Sequence, residues 1–177
     1  CEGQALDKEF ETQSSVSIED YIHMIDLKTG YMIGLAAEIG ATSAGMDDET
    51  SKIIRDYGRL LGRAFQIQDD YLEIFSNINN MGKSLQSDIV LGKKTFLMIH
   101  ALEKNSSLIN TAIAVAQKDF ENGMEEIREY IQISGIKDAA VQEINNIIES
   151  ADDKLSQLNI KKEKLLYFSE LIRKRGY

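Results

Sequence analysis

No proline and no tryptophan occur among the 177 residues, there is a single cysteine, and histidine appears twice. Each absence narrows the reading. Proline is the strongest helix breaker, so a proline-free chain rich in Leu, Ile, Ala, Glu and Lys leans towards helix. The lone cysteine, Cys1, excludes an internal disulfide and fits a reducing, cytoplasmic setting. No apolar run approaches the ~20 residues of a membrane span, and no signal-peptide pattern is visible. Positive charge is also short, with 20 Lys and Arg against 29 Asp and Glu and a net charge of −9. That argues against nucleic-acid binding, which works by neutralising phosphates. A small anionic substrate stays open, because a few lysines in one cleft, or a divalent metal, can hold a phosphate on an acidic protein.

What is present is helical in period. Residues 1–16 are polar and read as a loop or frayed end. Ser17 followed by Asp20 marks a helix start, with Tyr21, Ile22 and Ile25 at helical spacing. Lys28-Thr29-Gly30 interrupts that pattern. Ile33, Ala36, Ala37 and Gly40 resume it with small residues, as if another helix packed closely there. Gly45 ends this element, and Asp47, Asp48 and Glu49 form the acidic first turn of the next. There Ile54, Tyr57, Leu61, Ala64, Phe65, Gln68, Leu72 and Phe75 recur at three- and four-residue steps, with Gln68 the one polar member. Residues 76–89 read as a loop rich in Ser and Asn. Short antiparallel helices follow Gly92, with breaks expected at Gly123 and Gly135. No strand-like alternation and no fixed repeat appear.

The chemistry-bearing pattern sits on the strongest helix. At about 100° per residue, Gly58, Gly62, Gln66, Asp69 and Glu73 fall on one stripe, with Asp70 beside it. The glycines are expected to leave open space next to the carboxylates. Clustered carboxylates repel one another unless a cation neutralises them. Their hard oxygens suit Mg²⁺, which takes one or two protein carboxylates and fills its other positions with water and substrate phosphate. Lys28-Thr29 lies upstream. Gly82-Lys83, Asp88 and Gly92-Lys93-Lys94-Thr95 lie downstream. Carboxylates for a metal and lysines for oxygens suit a metal–diphosphate. The bland alternative is a solvated acidic helix face followed by two surface turns.

The run GRLLGRAFQIQDDYLEIF, followed by GKSLQSDIVLGKKT, resembles the second aspartate-rich region of the trans-isoprenyl diphosphate synthases. Gly3-Gln4 with Asp7, the segment EDYIHMIDLKTG and the basic end LIRKRGY are similar to further segments of that family, in the same order. The match is close over residues 3–102 and looser beyond. The resemblance implies an all-α antiparallel helical bundle, with residues 1–177 forming the C-terminal half of one domain. It implies a head-to-tail trans-prenyltransferase that condenses isopentenyl diphosphate with an allylic diphosphate, uses Mg²⁺ and works as a homodimer.

By the same resemblance, Asp69 binds a Mg²⁺ that bridges to the allylic diphosphate, and Asp70 and Glu73 complete that metal-binding acidic wall, directly or through metal-bound water. Lys28 and Lys83 contact the diphosphate, and Lys93 adds charge near the closing loop. Thr29 and Gln66 lie beside the developing allylic cation, with Gln4 and Asp7 at the cleft's edge. Two departures stand out: Glu73 replaces the commoner Asp, and Gln86-Ser87 replace a more usual glycine near Asp88. The chain opens on Cys1 without an initiator Met and reads as a fragment. The family's first DDxxD motif and its isopentenyl diphosphate site are expected upstream, so the fragment alone is expected to be inactive. A non-catalytic subunit of a prenyl synthase and a terpene cyclase are the alternatives. His23 and His100 read as structural. Met24, Met32, Met98, Phe65, Tyr57 and Tyr71 read as core, and Arg173, Lys174 and Arg175 as a solvated helix end.

Overall fold

The computed structural model describes residues 1–75 and 92–175. Among these the chain runs α1 (Glu2–Thr12), α2 (Ile18–Ile25), a π-helical turn (Asp26–Gly30), α3 (Tyr31–Ser43) and α4 (Asp48–Phe75). It continues through α5 (Phe96–Ala116), α6 (Phe120–Ile133), α7 (Ile136–Ser156) and α8 (Glu163–Arg173). No strand occurs among the described residues, as the sequence predicts.

Helix starts are set by short polar side chains that satisfy the free N–H groups of a first turn. Ser17 Oγ accepts from the Asp20 N–H at 3.1 Å and starts α2. Asp47 Oδ1 accepts from the Thr50 N–H at 2.8 Å and starts α4. Thr95 does the same for α5, and Asp119 for α6. Inside α5 the backbone leaves helical geometry at Asn105, whose side chain accepts from the Leu108 N–H and so restarts the helix.

α4 is the axis of the fold, 28 residues long, or about 42 Å at the usual rise. It packs chiefly against α3 and α7, and also touches the π-turn, α2, α5, α6 and α8. Its apolar stripe is buried at Ile54, Tyr57, Leu61, Ala64 and Gln68, but Ile67, Tyr71 and Ile74 are buried too. Burial on more than one side follows from having neighbours around most of its circumference.

Four expectations need correcting. Residues 1–16 are not a frayed end: Glu2–Thr12 is helix, and Gly3 brings it against the π-turn so closely that a Cβ there would sit 2.3 Å from Lys28 N. Gly58 and Gly62 do not open a space beside the carboxylates. A Cβ on Gly62 would lie 2.8 Å from Gly30 Cα, and one on Gly58 would lie 3.0 Å from Ala37 Cβ. Gly58 lets the α3 and α4 backbones touch, and Gly62 does the same for α4 and the end of the π-turn. Gly123 does not break a helix but lies inside α6, pressed against Ala116, whereas Gly135, at φ 76°, is a true break. Met32 is not core but 67% exposed on the outer face of α3, with Leu35 and Ile39. Of the small residues expected to face a close partner, Ala37 does meet α4, together with Gly34, whereas Ala36 and Gly40 are exposed.

Candidate functional site

Lys28 and Thr29 lie in the π-turn, where the helix carries one extra residue. The Tyr31 N–H bonds the Asp26 carbonyl five residues back, so the chain passes through Lys28-Thr29-Gly30 without leaving the helix. Such turns are frequent at functional sites. This one is braced on both sides. Asp26 accepts from Arg63 Nη2 at 2.6 Å and from Nε at 3.1 Å. Lys28 Nζ donates to Asp7 Oδ2 of α1 at 2.6 Å, with both side chains about one-fifth exposed at 24% and 20%. Asp7, expected only at a cleft's edge, therefore holds the lysine in place.

Thr29 Oγ1 donates to Gln66 Oε1 at 3.1 Å. Gln66 Nε2 in turn reaches Asp70 Oδ1 at 3.4 Å. Asp70 is buried, and its other oxygen accepts from Tyr21 OH at 2.6 Å and from the Phe96 N–H at 3.3 Å. A polar path thus links the π-turn, α4, α2 and the start of α5. Burial pushes the Asp70 carboxyl upward, while the Tyr21 bond, the Lys93 charge and the Phe96 and Gln66 bonds pull it back. Burial, followed by the neighbouring Asp70 charge, also raises the Tyr21 phenol well above its usual range.

Asp69 points elsewhere. Its Oδ1 accepts from Arg175 Nη1 at 2.5 Å, and both side chains are partly in solvent. Glu73 is paired with Lys93 at 3.4 Å and is largely buried. The three acidic residues are therefore split: Asp69 and Glu73 each face a cation of this chain, and Asp70 faces the interior. Among the described residues no three His, Cys, Asp or Glu side chains are grouped to hold a metal ion. Asp69 and Glu73, one turn apart and each neutralised by a cation, still supply the hard oxygens that a magnesium ion takes one or two at a time. Lys83 and Asp88 lie outside the described residues.

Lys174 and Arg175 are exposed, as a solvated helix end would be, but Arg173 and Arg175 are also bonded back to the body of the fold. Arg173 bonds Asp152 at 2.9 Å and Glu170 at 3.0 Å. Arg175 lies over the Phe65 ring at 4.6 Å while it reaches Asp69. His23 is exposed, and His100 stands edge-on to Phe96 at 4.7 Å and pairs with Glu103. The residues that sequence reasoning undervalued are Tyr21, Gln68 and Arg175. Gln68 carried an advance signal as the one polar member of an apolar stripe, and Arg175 as part of the basic end LIRKRGY.

Residues 1–133 match the polyprenyl synthetase family. The chain is 35% identical over 158 residues to the geranylfarnesyl diphosphate synthase of Natronomonas pharaonis, covering 89% of this chain and 46% of that protein. Its fold superposes on the geranylgeranyl pyrophosphate synthetase of Pyrococcus horikoshii Ot3 with a TM-score of 0.85 and 33% identity, over 99% of this chain and 55% of that one. The polyprenyl synthase of Caulobacter crescentus CB15, solved with calcium and isoprenyl diphosphate, superposes with a TM-score of 0.85 and 28% identity, over 99% and 55%. The chain spans about half the length of the curated relatives it matches. With its helical fold and its ordered aspartate, lysine and glutamine positions, this chain belongs to the polyprenyl synthetase family.

Proposed function

We propose that these residues are the part of a trans-prenyltransferase that binds an allylic diphosphate, in a protein that condenses it head-to-tail with isopentenyl diphosphate. The observation that carries this reading is the polar path from Thr29 through Gln66 to Asp70, with Lys28 on the same π-turn and Asp69 and Glu73 on the same helix. Cations, neutral dipoles and carboxylates are needed together when a diphosphate leaves and an allylic cation forms.

Lys28 binds a diphosphate oxygen, and Asp7 fixes where its ammonium sits. Lys83 and Lys93 add positive charge to the same leaving group. Gln66 presents its carbonyl end to Thr29 because its amide end is tied to Asp70, and this orients both dipoles for positive charge. Asp69 and Glu73 hold Mg²⁺, and Asp70 acts through Gln66 as a positioning residue. Bound magnesium supplies charge against the diphosphate. The calcium and isoprenyl diphosphate bound by the Caulobacter relative support a divalent metal and a diphosphate as partners. The resemblance puts a second carboxylate pair and the isopentenyl diphosphate cations outside these 177 residues, so these residues alone bind without condensing. It also suggests a cytoplasmic homodimer.

The test is an assay of the full-length protein with Mg²⁺, labelled isopentenyl diphosphate and a panel of allylic starters, with Asp69→Ala alongside. Prenyl products that disappear with the substitution support the reading. A folded protein that makes none with any starter overturns it in favour of a non-catalytic subunit or a cyclase.

A further inference from the structure

Gln68 is the one fully buried polar side chain on the apolar face of α4, and its carbonyl oxygen Oε1 has no hydrogen-bond partner. An apolar side chain there would carry no such cost. What the amide supplies is at its other end. Nε2 donates to Ile172 O at 2.7 Å and to Arg175 O at 2.9 Å. These carbonyls belong to the last turn of α8 and the residues just past it, and Ile172 O also accepts from the Arg175 N–H at 3.1 Å, which tightens the same turn. One side chain of α4 therefore holds the end of α8 and Arg175 in a fixed place.

That place brings two further contacts to the same helix. With its carbonyl held by Gln68, Arg175 lays its guanidinium over Phe65 and bonds Asp69 at 2.5 Å. Phe65, Gln68 and Asp69 lie within five consecutive positions of α4. The rest of α8 is docked independently. Tyr57 OH bonds Leu165 O and Ser169 Oγ, and Arg173 bonds Asp152. Loss of the Gln68 bonds would free Arg175 and the last turn of α8 without undocking the helix.

We infer that Gln68 is a positioning residue that latches the end of α8, so that Arg175 occupies the Asp69 carboxylate and a divalent cation must displace it. The inference rests on the reading of Asp69 as a metal ligand. It deepens that reading by giving the carboxylate a counter-cation from its own chain when no metal is bound. Such a device prevents the unpaired repulsion of Asp69 and its acidic neighbours, and it makes metal binding a competition with an arginine rather than the filling of a vacant site. A guanidinium and a carboxylate that are both partly in solvent are held together weakly enough to exchange.

The experiment titrates the full chain with Mn²⁺ alone, read by electron paramagnetic resonance, for the unaltered protein, Gln68→Leu, Arg175→Gln and Asp69→Asn. Limited trypsin digestion at Arg173 and Lys174 is followed in parallel. Both Gln68→Leu and Arg175→Gln are expected to bind Mn²⁺ about twofold to fivefold more tightly, the range set by losing one exposed charge pair. Trypsin should cut Gln68→Leu faster than the unaltered chain. A gain of affinity is not what general loosening of the fold produces. If Asp69→Asn abolishes binding while Gln68→Leu and Arg175→Gln match the unaltered protein, the metal reading stands and the latch is overturned. If trypsin finds the end of α8 released in Gln68→Leu, but Mn²⁺ binding ignores Asp69→Asn, the latch stands and the metal reading fails.

Discussion

The hydroxyl of Tyr21 donates a 2.6 Å hydrogen bond to Asp70 across 49 positions of the chain, with both side chains buried. This contact joins the helix that leads into Lys28 and Thr29 to the helix that carries the acidic motif. It also splits two neighbouring aspartates. Asp70 is turned inward by its donors, while Asp69 is left to face Arg175. Two adjacent residues of one motif thus have different work, and the difference is made by which donors lie within reach.

Tyr21→Phe keeps the ring against Phe96, 6.1 Å away between centroids, but leaves one Asp70 oxygen short of a donor. A buried acceptor deprived of its partner costs about 1–3 kcal/mol. Urea denaturation at neutral pH should show that loss. An unchanged midpoint would mean that the Phe96 N–H and water suffice.

Tyr57 should make the protein sensitive to alkali. Burial pushes its phenol up to about 12, with the Asp152 charge in support and the Ser169 bond in opposition. The folded value lies above the unfolded one, so the unfolded chain releases this proton first. The stabilisation is full below pH 10 and is lost as pH rises from 10 towards 12, at up to about 1.4 kcal/mol per pH unit. Denaturation midpoints measured across that window should fall less steeply for Tyr57→Phe. Equal slopes would show that other groups carry the alkaline loss.

The packing of α4 against the π-turn and the open face of α3 predict opposite signs for two glycine substitutions. A Cβ at Gly62 would strike Gly30 backbone at 2.8 Å, so Gly62→Ala should destabilise by about 1–3 kcal/mol through overpacking. Gly40, on α3, has nothing within 4 Å of that position. Gly40→Ala should stabilise by about 0.5–1 kcal/mol, the usual gain from replacing a mid-helix glycine. Thermal melts of the two variants settle both signs.

Gly3→Ala tests whether α1 sets the position of Lys28. The added methyl would meet Lys28 N at 2.3 Å and the Lys28 Cα at 2.6 Å. The π-turn has to move, and with it the lysine and Thr29. In the full-length protein the proposed prenyl transfer should fall by about 10²-fold, the penalty expected for a shift near 1 Å in a positioning group. Normal turnover from this variant would show that Lys28 does not need its present place.

Much of this protein was legible from local pattern. The absence of proline, the three- and four-residue steps of apolar positions on α4, the cap at Ser17 and the acidic start at Asp47 depend on neighbours within a turn or two, so these helices could be read directly. Gln66, Asp69 and Glu73 could be placed on one stripe because helical spacing is local, whereas Lys28 and Thr29 stood out only through motif order and the family resemblance. Helix 2–12 was missed because its polar composition resembles a loop, and it gains its order from Gly3 against Lys28 and from Asp7 bonded to the same residue.

The sequence by itself determined an all-helical chain, the polyprenyl synthetase family, and the residue types available for a metal–diphosphate. Only the tertiary structure decided what each of those residues faces. A helical wheel puts Asp69 and Asp70 nearly side by side, but it carries no record of Tyr21, the Phe96 N–H or Arg175, which arrive from 49, 26 and 106 positions away. It also shows Gly58 and Gly62 as gaps, whereas a packed fold fills a gap with the nearest backbone. Carboxylate roles are set by charges and donors in space, and those distances exist only once α2, α5 and α8 have closed around α4.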